Sequence, residues 1–193
     1  MNGRIIFLLE EASMQALLRA WLPRIFTGWV DEVHFKLVPH EGKTDLDLSI
    51  PRKLKSWRIP GDRFVIVRDS DGADCINLKA RLSKLANDSD RPDTLVRIVC
   101  QELESWYLGD LAALASAFEN PALNNARLRK RFAAPDAWAK PSIELKRLVP
   151  QFQKLGGARA MAAHLSPADH RSHSLQVFVN GVRALATQMG HVE

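Results

Sequence analysis

In the first half of the chain, short apolar runs typical of strands alternate with segments whose hydrophobic residues have helical spacing. Short runs rich in Ile, Val and Phe predict β-strands at residues 4–9, 33–38, 63–68 and 94–100. The first and third runs are almost wholly apolar, which is typical of strands covered on both faces of a sheet. Helical spacing lies between them, at residues 14–25 and 74–86. This alternation predicts βαβ units, hence an α/β fold with about four mainly parallel strands and right-handed crossovers.

The remaining segments read as helical. Residues 44–57 have weaker spacing and contain Pro51, so a short or broken helix is expected there. From residue 101 onward the apolar residues form three helical stripes, each more typical of core than of a cofactor pocket. They are Leu103, Tyr107, Leu111, Leu114 and Phe118; Leu145, Leu148, Phe152 and Leu155; and Leu175, Phe178, Val182, Leu185 and Met189. We expect a core at residues 1–119 and a helical C-terminal extension at residues 120–193, packed as one compact domain.

Composition excludes several protein classes. The 193 residues include 27 Lys and Arg against 22 Asp and Glu, a net charge of +5, with 46% hydrophobic and 25% charged residues. These values fit a globular protein of one domain, and no apolar run approaches the roughly 20 residues that span a membrane. The short apolar start runs into Glu10, so it is not a signal peptide, and a cytoplasmic location is expected. Cys75 and Cys100 are too few for a disulfide framework and are expected as buried structural thiols.

Carboxylates follow three of the four predicted strands, in pairs: Glu10 and Glu11, Asp69 and Asp71, Glu102 and Glu104. The carboxyl ends of parallel strands lie at one edge of a sheet, where ligands bind at a topological switch point. Gathered carboxylates raise each other's pKa unless a cation lies between them. Oxygen ligands suit Mg²⁺ or Mn²⁺, so we expect a metal site of Glu10, Asp69 and Asp71, with Glu102 as a further ligand.

Two of these pairs have competing interpretations. Asp69 and Asp71 point the same way if their segment is extended, but either of them alone would also serve as a helix cap. If Glu102 and Glu104 are both helical, they lie about 200° apart and cannot share a target. If the helix begins only after Glu104, both face the edge of the sheet. Acids in a first helical turn are also favoured by the helix dipole.

Other motifs are weaker. The string from Asp69 to Ala73 resembles the DxDGT motif of haloacid dehalogenase-type phosphatases, whose first Asp is the nucleophile, but it has Ala in place of Thr and follows the third strand. A phosphatase using Asp69 is therefore a minor alternative. An EF-hand does not fit, because Gly72 comes too early in the loop. Walker A, GxGxxG, GxSxG and HExxH patterns are absent from the sequence, and its six histidines lack ligand spacing.

A Glu after one strand and a DxD after a later one resemble the TOPRIM pattern of topoisomerases, primases and overcoming-lysogenization-defect-type nucleases. The chain also resembles a bacterial TOPRIM-like family, domain of unknown function 4276. The strings that carry this resemblance are LLEEAS (8–13), HEGKTDL (40–46), RDSDGADC (68–75), RIVCQELESWYLGD (97–110), KPS (140–142) and RSHS (171–174).

The resemblance implies a TOPRIM/Rossmann-like fold, with Glu10 as the TOPRIM glutamate and Asp69 and Asp71 as its metal-binding pair. Many TOPRIM nucleases have Gly after that glutamate and another acid four residues on, whereas this chain has Glu11 and Met14. The resemblance further implies a component of phage defence that works with an AAA-type ATPase partner.

These observations lead to one main hypothesis, a Mg²⁺- or Mn²⁺-dependent nuclease acting on DNA or RNA. Glu10, Asp69 and Asp71 would hold the metal, and Glu11 or Glu104 would bind a second metal or act as general base. Basic side chains would position the nucleic-acid backbone: Lys43, Arg52, Lys53, Lys55, Arg58, Arg127, Arg129, Lys130, Arg131 and Arg171. The alternative is a non-catalytic interaction subunit of an ATPase complex with a degenerate acidic site.

Overall fold

The sheet has four parallel strands in the order β2-β1-β3-β4. The computed structural model describes residues 3–191. Its strands are β1 (Ile5–Leu9), β2 (Phe35–Pro39), β3 (Arg63–Asp69) and β4 (Leu95–Val99). All three pairings are parallel, with Ile5 opposite Phe35 on one side and Arg63 on the other. Each strand lies close to its predicted bounds, and the predicted α/β fold is confirmed.

Helices cover both faces of the sheet. Side chains alternate along β1, so that Ile5, Phe7 and Leu9 face one layer while Ile6 and Leu8 face the other. The first layer contains α1 (Ala12–Ile25) and a long C-terminal helix, and the second contains α2 (Lys43–Ser56) and α3 (Cys75–Asn87). Burial on both faces explains why these strands are almost continuously apolar.

The prediction of a short or broken helix around Pro51 is wrong, because α2 runs unbroken through this proline. Leu46, Ile50 and Leu54 lie on one face of α2 and are buried against the sheet. A proline inside a helix costs about 3 kcal/mol. Burying three such side chains contributes about 1.5–3 kcal/mol each, which exceeds that cost.

The segment after β4 is helical, as predicted. Its helices are α4 (Glu104–Gly109), α5 (Leu111–Ala117), α6 (Ala126–Arg131), α7 (Pro141–Leu148), α8 (Lys154–Ala162) and α9 (His173–Gln188). Asp110 divides the first predicted stripe because its side chain accepts a hydrogen bond from Ala113 N and caps α5. Leu155 was expected in the core but is 42% exposed, since it lies in the first turn of a separate helix.

The C-terminal helices share one hydrophobic core with the sheet. Trp106 of α4, Leu145 of α7 and Phe178 of α9 are buried in the same cluster as Phe7 of β1. Helix α8 packs against α1, which brings its first residues beside the carboxyl end of β1. Within residues 3–191, no helix has both the length and the apolar character needed to cross a bilayer.

Candidate active site

The carboxyl ends of β1 and β3 are joined by a hydrogen bond. The main-chain N–H of Asp69 donates to Oε2 of Glu10 at 2.9 Å, and both side chains are buried. The chain leaves β1 toward β2 on one side, whereas β3 and β4 lie on the other, so these acids flank the topological switch point of the sheet. This is the place where open parallel sheets bind ligands.

The loop after β3 is held by the segment after β4. Asp71 N donates to Gln101 O at 3.0 Å, and Gln101 Oε1 accepts from both Ser70 Oγ and Gly72 N at 2.8 Å. Asp71 has a positive φ of 50°, a left-handed conformation that few residues other than Gly, Asn and Asp adopt. Such backbone geometry at a strand end is common where a side chain must be aimed at a ligand.

Glu104 is the least solvent-exposed acid of the cluster. It is the first residue of α4, is 2% exposed, and its Oε2 has no hydrogen-bond partner within the described chain. Burial raises the pKa of Glu104 to about 7, with smaller contributions from the charges of Glu102 and Glu11, while the Lys154 ammonium opposes the shift. Glu104 therefore titrates near neutral pH.

Asp69 and Glu10 are perturbed in the same direction. Burial, followed by the charges of Glu10 and Glu104, raises the pKa of Asp69 well above its usual range. Burial also raises the pKa of Glu10, although the Asp69 N–H and Arg68 favour its charged form. Oδ1 of Asp69 is buried and accepts no hydrogen bond from any residue in the range 3–191. The structure therefore places these carboxylates near enough to repel one another.

Three cations border the carboxylates. Lys154 Nζ lies 3.0 Å from Glu11 Oε2, and Lys43 Nζ lies 3.1 Å from Asp71 Oδ2. Burial lowers the pKa of Lys154, but contact with Glu11 and the charges of Glu104 and Asp69 outweigh it, so the net shift is upward.

The third cation is inside the fold. Arg68 is buried at the end of β3, with its guanidinium 3.9 Å from Glu10 Oε2 and 3.4 Å from Asp47 Oδ1. These ion pairs partly neutralise the acids. Asp69 Oδ1 and Glu104 Oε2 nevertheless have no hydrogen-bond partner in the part of the chain that the structure describes.

Glu102 is not drawn into this cluster. Its Oε2 accepts from Ser142 N at 2.8 Å, and its Oε1 lies 3.4 Å from Lys140 Nζ. Glu102 thus anchors the first turn of α7, where a carboxylate is favoured by the helix dipole. Since α4 begins at Glu104, the two glutamates diverge. The carboxylates close enough to raise the pKa of Asp69 are Glu10, Glu104, Glu11 and Asp71, and these four with Asp69 are the acid cluster.

The basic residues predicted around α2 do not form one group. Lys43 begins α2 at the acid cluster, but the 14 residues of the helix extend about 21 Å away from it. Arg52, Lys53, Lys55 and Arg58 therefore lie progressively farther from the acids. Lys55 and Arg58 reach the opposite edge of the sheet, where they line a cavity of about 460 Å³ with Arg91.

The predicted basic residues of the C-terminal part are also divided. Arg127 and Lys130 are exposed on α6. Arg171 donates a hydrogen bond to the carbonyl oxygen of Arg129 at 3.0 Å. This bond joins the loop that precedes α9 to α6. Arg131 is held by an ion pair with Glu144 and lies over the rings of Phe132 and Trp138.

An oxygen-only cluster with unbonded, mutually repelling carboxylates fits a hard divalent cation such as Mg²⁺ or Mn²⁺. Asp69 Oδ1 and Glu104 Oε2 are buried oxygens without a hydrogen-bond partner among residues 3–191. In the same range, no three His, Cys, Asp or Glu side chains already converge on one ion position. The acid side chains would therefore have to rearrange to bind a cation.

Sequence reasoning missed several residues of this site. Lys154 carries no motif and comes from the distant helix α8. Arg68 did leave a signal, as a charge at the end of an otherwise apolar strand. Buried His40 is satisfied at both ring nitrogens, as expected of a structural histidine. The expectation of two buried structural thiols is wrong, because Cys75 and Cys100 are partly exposed and touch each other at the strand ends.

Solved structures share this fold over nearly the whole chain. The C-terminal region of the Burkholderia pseudomallei OLD protein is 19% identical, with a TM-score of 0.57, covering 96% of this chain and 99% of that one. The C-terminal region of the Xanthomonas campestris pv. campestris OLD protein, phased with iodine, is 14% identical with a TM-score of 0.57, covering 98% of both chains. At these identities the likeness concerns the fold alone.

No functionally curated protein matches the chain. The model of a domain of unknown function, DUF4276, matches residues 9–183. That match takes in β2, β3 and β4, the acid cluster and the C-terminal helices. The chain therefore belongs to the DUF4276 family.

Proposed function

We propose that this chain is a divalent-metal-dependent nuclease that cleaves phosphodiester bonds of DNA or RNA. One observation supports the proposal, namely that Glu10, Asp69 and Glu104 come from three separate segments and lie close enough at the switch point of a parallel sheet to perturb the pKa of Asp69. Burying like charges together is unfavourable unless a cation offsets them. A fold that maintains such a cluster is typical of a functional site rather than of a stabilising one.

Glu10, Asp69 and Asp71 are the residues that would hold the cation. Bound Mg²⁺ or Mn²⁺ would supply Lewis-acid polarisation of a phosphodiester and stabilise the charge on its leaving oxygen. Arg68 lies 3.9 Å from Glu10 Oε2 and offsets its charge, while Gln101 holds the loop that carries Asp71. The first contact reduces the repulsion between these ligands, and the second orients one of them.

Glu104 is the proposed proton acceptor. With a pKa of about 7, its carboxylate is able to accept a proton at Oε2 and release it again at neutral pH. The nearby ammonium group of Lys154 favours the charged form of Glu104, which is the form that accepts a proton. Glu11, paired with Lys154, is the candidate for a second cation ligand.

Lys43 is the basic residue best placed to contact a phosphate beside the acids, because it lies next to Asp71. The exposed residues Arg127 and Lys130 would act as outer contacts to a longer nucleic acid. The family resemblance implies a role in phage defence with an AAA-type ATPase as partner, and the sequence favours a cytoplasmic location for that role. Both structural relatives are C-terminal regions of longer OLD proteins, which is consistent with a domain that operates beside another.

The decisive experiment measures cleavage of single- and double-stranded DNA and RNA with Mg²⁺ or Mn²⁺. Asp69→Asn should abolish cleavage, because it removes a ligand charge while keeping the side-chain shape. Asp74→Asn in the same loop is the matched control, since Asn caps α3 about as well as the Asp that now accepts from Asn77 N. Cleavage that survives in Asp69→Asn would contradict the proposal. Phosphate release from a monoester, with a covalent adduct on Asp69, would instead support the phosphatase alternative.

The second candidate function is a non-catalytic subunit of an ATPase complex. It is favoured by the ion pairs of Lys43 and Lys154, which already neutralise two of the acids. Under this alternative, neither metal yields cleavage, whether the chain is alone or with its ATPase partner. Asp69→Asn would then leave binding to the ATPase unchanged.

A further inference from the structure

The two cysteines of the chain face each other at the edge of the acid site. Cys75 is the first residue of α3, Cys100 directly follows β4, and their sulfur atoms are 2.9 Å apart. Pairing of β3 with β4 brings them together across 25 residues of sequence. We propose that Cys75 and Cys100 form a reversible oxidation site, at which oxidised glutathione converts the two thiols into an intramolecular disulfide.

The geometry leaves little to rearrange. The sulfurs must move from 2.9 Å to the disulfide bond length of about 2.05 Å. A surface groove of about 520 Å³, lined by Cys75, Cys100 and Ile76, gives a small molecule access to both thiols. Lys79, Arg97 and Asp136 also line this groove, so two cations and one carboxylate face the anionic glutathione.

The exchange proceeds in two balanced steps. Cys75 attacks one sulfur of oxidised glutathione, a mixed disulfide forms, and the departing glutathione thiolate takes up the proton of Cys75. Cys100 then attacks the Cys75 sulfur, the bond to glutathione breaks, and the second glutathione leaves with the proton of Cys100. Two protein thiols are oxidised and one glutathione disulfide is reduced to two thiols.

The order of attack follows from the surroundings of the two thiols. Burial, together with contact with Cys75, raises the pKa of Cys100 to about 12. A thiol with so high a pKa is a poor nucleophile toward an incoming disulfide, so Cys100 acts second, on the Cys75 sulfur that lies 2.9 Å away.

Oxidation would affect the acid site through Gln101, and this step rests on the proposed function. Cys100 precedes Gln101, whose side chain holds Ser70 and Gly72 on either side of Asp71. A bond from Cys100 to Cys75 would fix both ends of the loop 71–75 to the end of β4. Because the acid side chains must rearrange to converge on a cation, and the disulfide would restrict the loop that carries Asp71, we expect oxidation to weaken Mn²⁺ binding by about tenfold, within the range seen when supports of metal ligands are altered.

The first test counts thiols in the purified chain incubated with oxidised glutathione. Free thiols should fall from two to none, the mass should fall by the two hydrogens lost, and the chain should stay monomeric on a non-reducing gel. Cys100→Ser should accumulate a glutathione adduct on Cys75, and Cys75→Ser, or Cys75→Ala, should form no disulfide. Thiols that stay free, or that disappear only into covalent dimers, would overturn the proposal.

The second test measures Mn²⁺ affinity by calorimetry before and after oxidation. Binding should weaken in the oxidised chain, return after reduction with dithiothreitol, and not respond to oxidant in Cys75→Ser. Equal affinity in both states would remove the coupling to the acid site. The thiol count is independent of cleavage, so a disulfide that forms in a chain without nuclease activity would refute the proposed function alone.

Discussion

Glu10 Oε2 accepts a hydrogen bond from the main-chain N–H of Asp69 at 2.9 Å, across the boundary between β1 and β3. The Glu10 carboxylate therefore has two separable roles. As an acceptor it satisfies a buried backbone N–H, and as a charge it repels Asp69 and attracts cations.

Two substitutions at Glu10 should separate these roles. Glu10→Gln keeps an acceptor for Asp69 N but removes a charge whose pKa is raised by burial, so the metal-free chain should gain unfolding free energy. Glu10→Ala leaves the N–H without its acceptor and should lose about 1–3 kcal/mol. Both should abolish Mn²⁺ binding. Urea denaturation and calorimetry measure these effects, and equal stability changes in the two variants would contradict the argument.

Glu104 should make the stability of the metal-free chain fall as pH rises. Its pKa is raised from 4.5 to about 7 in the folded state, so the folded chain binds a proton more tightly than the unfolded chain. The contribution is favourable at low pH and is lost between about pH 4.5 and 7, amounting to about 2–3 kcal/mol between pH 5 and pH 8.

Glu104→Gln is the matched variant for this pH effect. Urea denaturation at pH 5 and pH 8 should show a smaller loss of unfolding free energy in the variant than in the wild type. Mn²⁺ should reduce the loss in the wild type at pH 8, because a cation offsets the buried charge. A wild type and variant with the same pH dependence would mean that Glu104 titrates normally.

The fold was predictable because its strands are buried on both faces. A continuous apolar run such as β1 or β3 is stable only inside a sheet that is covered on both faces. Parallel strands in such a sheet have their carboxyl ends at the same edge. The proximity of Glu10 and Asp69 was predictable for this reason, because both residues lie at the carboxyl ends of their strands. Pro51 misled the prediction because local backbone preference is weaker than the burial of three apolar side chains of α2.

The rest of the site depends on tertiary packing that spacing does not encode. Lys154 reaches Glu11 across 143 residues only because α8 packs against α1. Glu104 was ambiguous because its direction depends on the residue at which α4 begins. Lys43 and Lys55 looked alike in sequence, yet α2 carries them toward opposite edges of the sheet.

Adjacent glycines in α8 should respond in opposite directions to the same substitution. A Cβ on Gly157 would lie 2.1 Å from the ring of Phe152, whereas a Cβ on Gly156 would have no neighbour closer than 4.0 Å. Gly157→Ala should therefore destabilise the chain by about 1–3 kcal/mol through overpacking. Gly156→Ala should stabilise it by about 0.5–1 kcal/mol through helix propensity. Thermal denaturation compares them, and a Gly157→Ala chain as stable as Gly156→Ala would show that Phe152 moves aside freely.

Lys154 should behave as a cation that competes with the metal. Lys154 lies in the first turn of α8, where the helix dipole disfavours a positive charge. Its ion pair with Glu11, and not the helix, therefore stabilises a lysine at this position. Lys154→Met removes a positive charge from the acid cluster, and Mn²⁺ should then bind about threefold to tenfold more tightly because less charge repulsion opposes it. Without Mn²⁺, the same variant should lose about 0.5–1 kcal/mol at pH 8 and less at pH 5, where Glu104 is protonated.

Lys146→Met is the control for Lys154→Met, because Lys146 is exposed on α7 and forms no ion pair with any residue between 3 and 191. It should change neither Mn²⁺ affinity nor the pH dependence of stability. Calorimetric titration of both variants with Mn²⁺ decides the matter. If Lys154→Met instead binds Mn²⁺ more weakly than Lys146→Met, Lys154 does not oppose the cation but orients Glu11 to receive it, and the ion pair is part of the binding site.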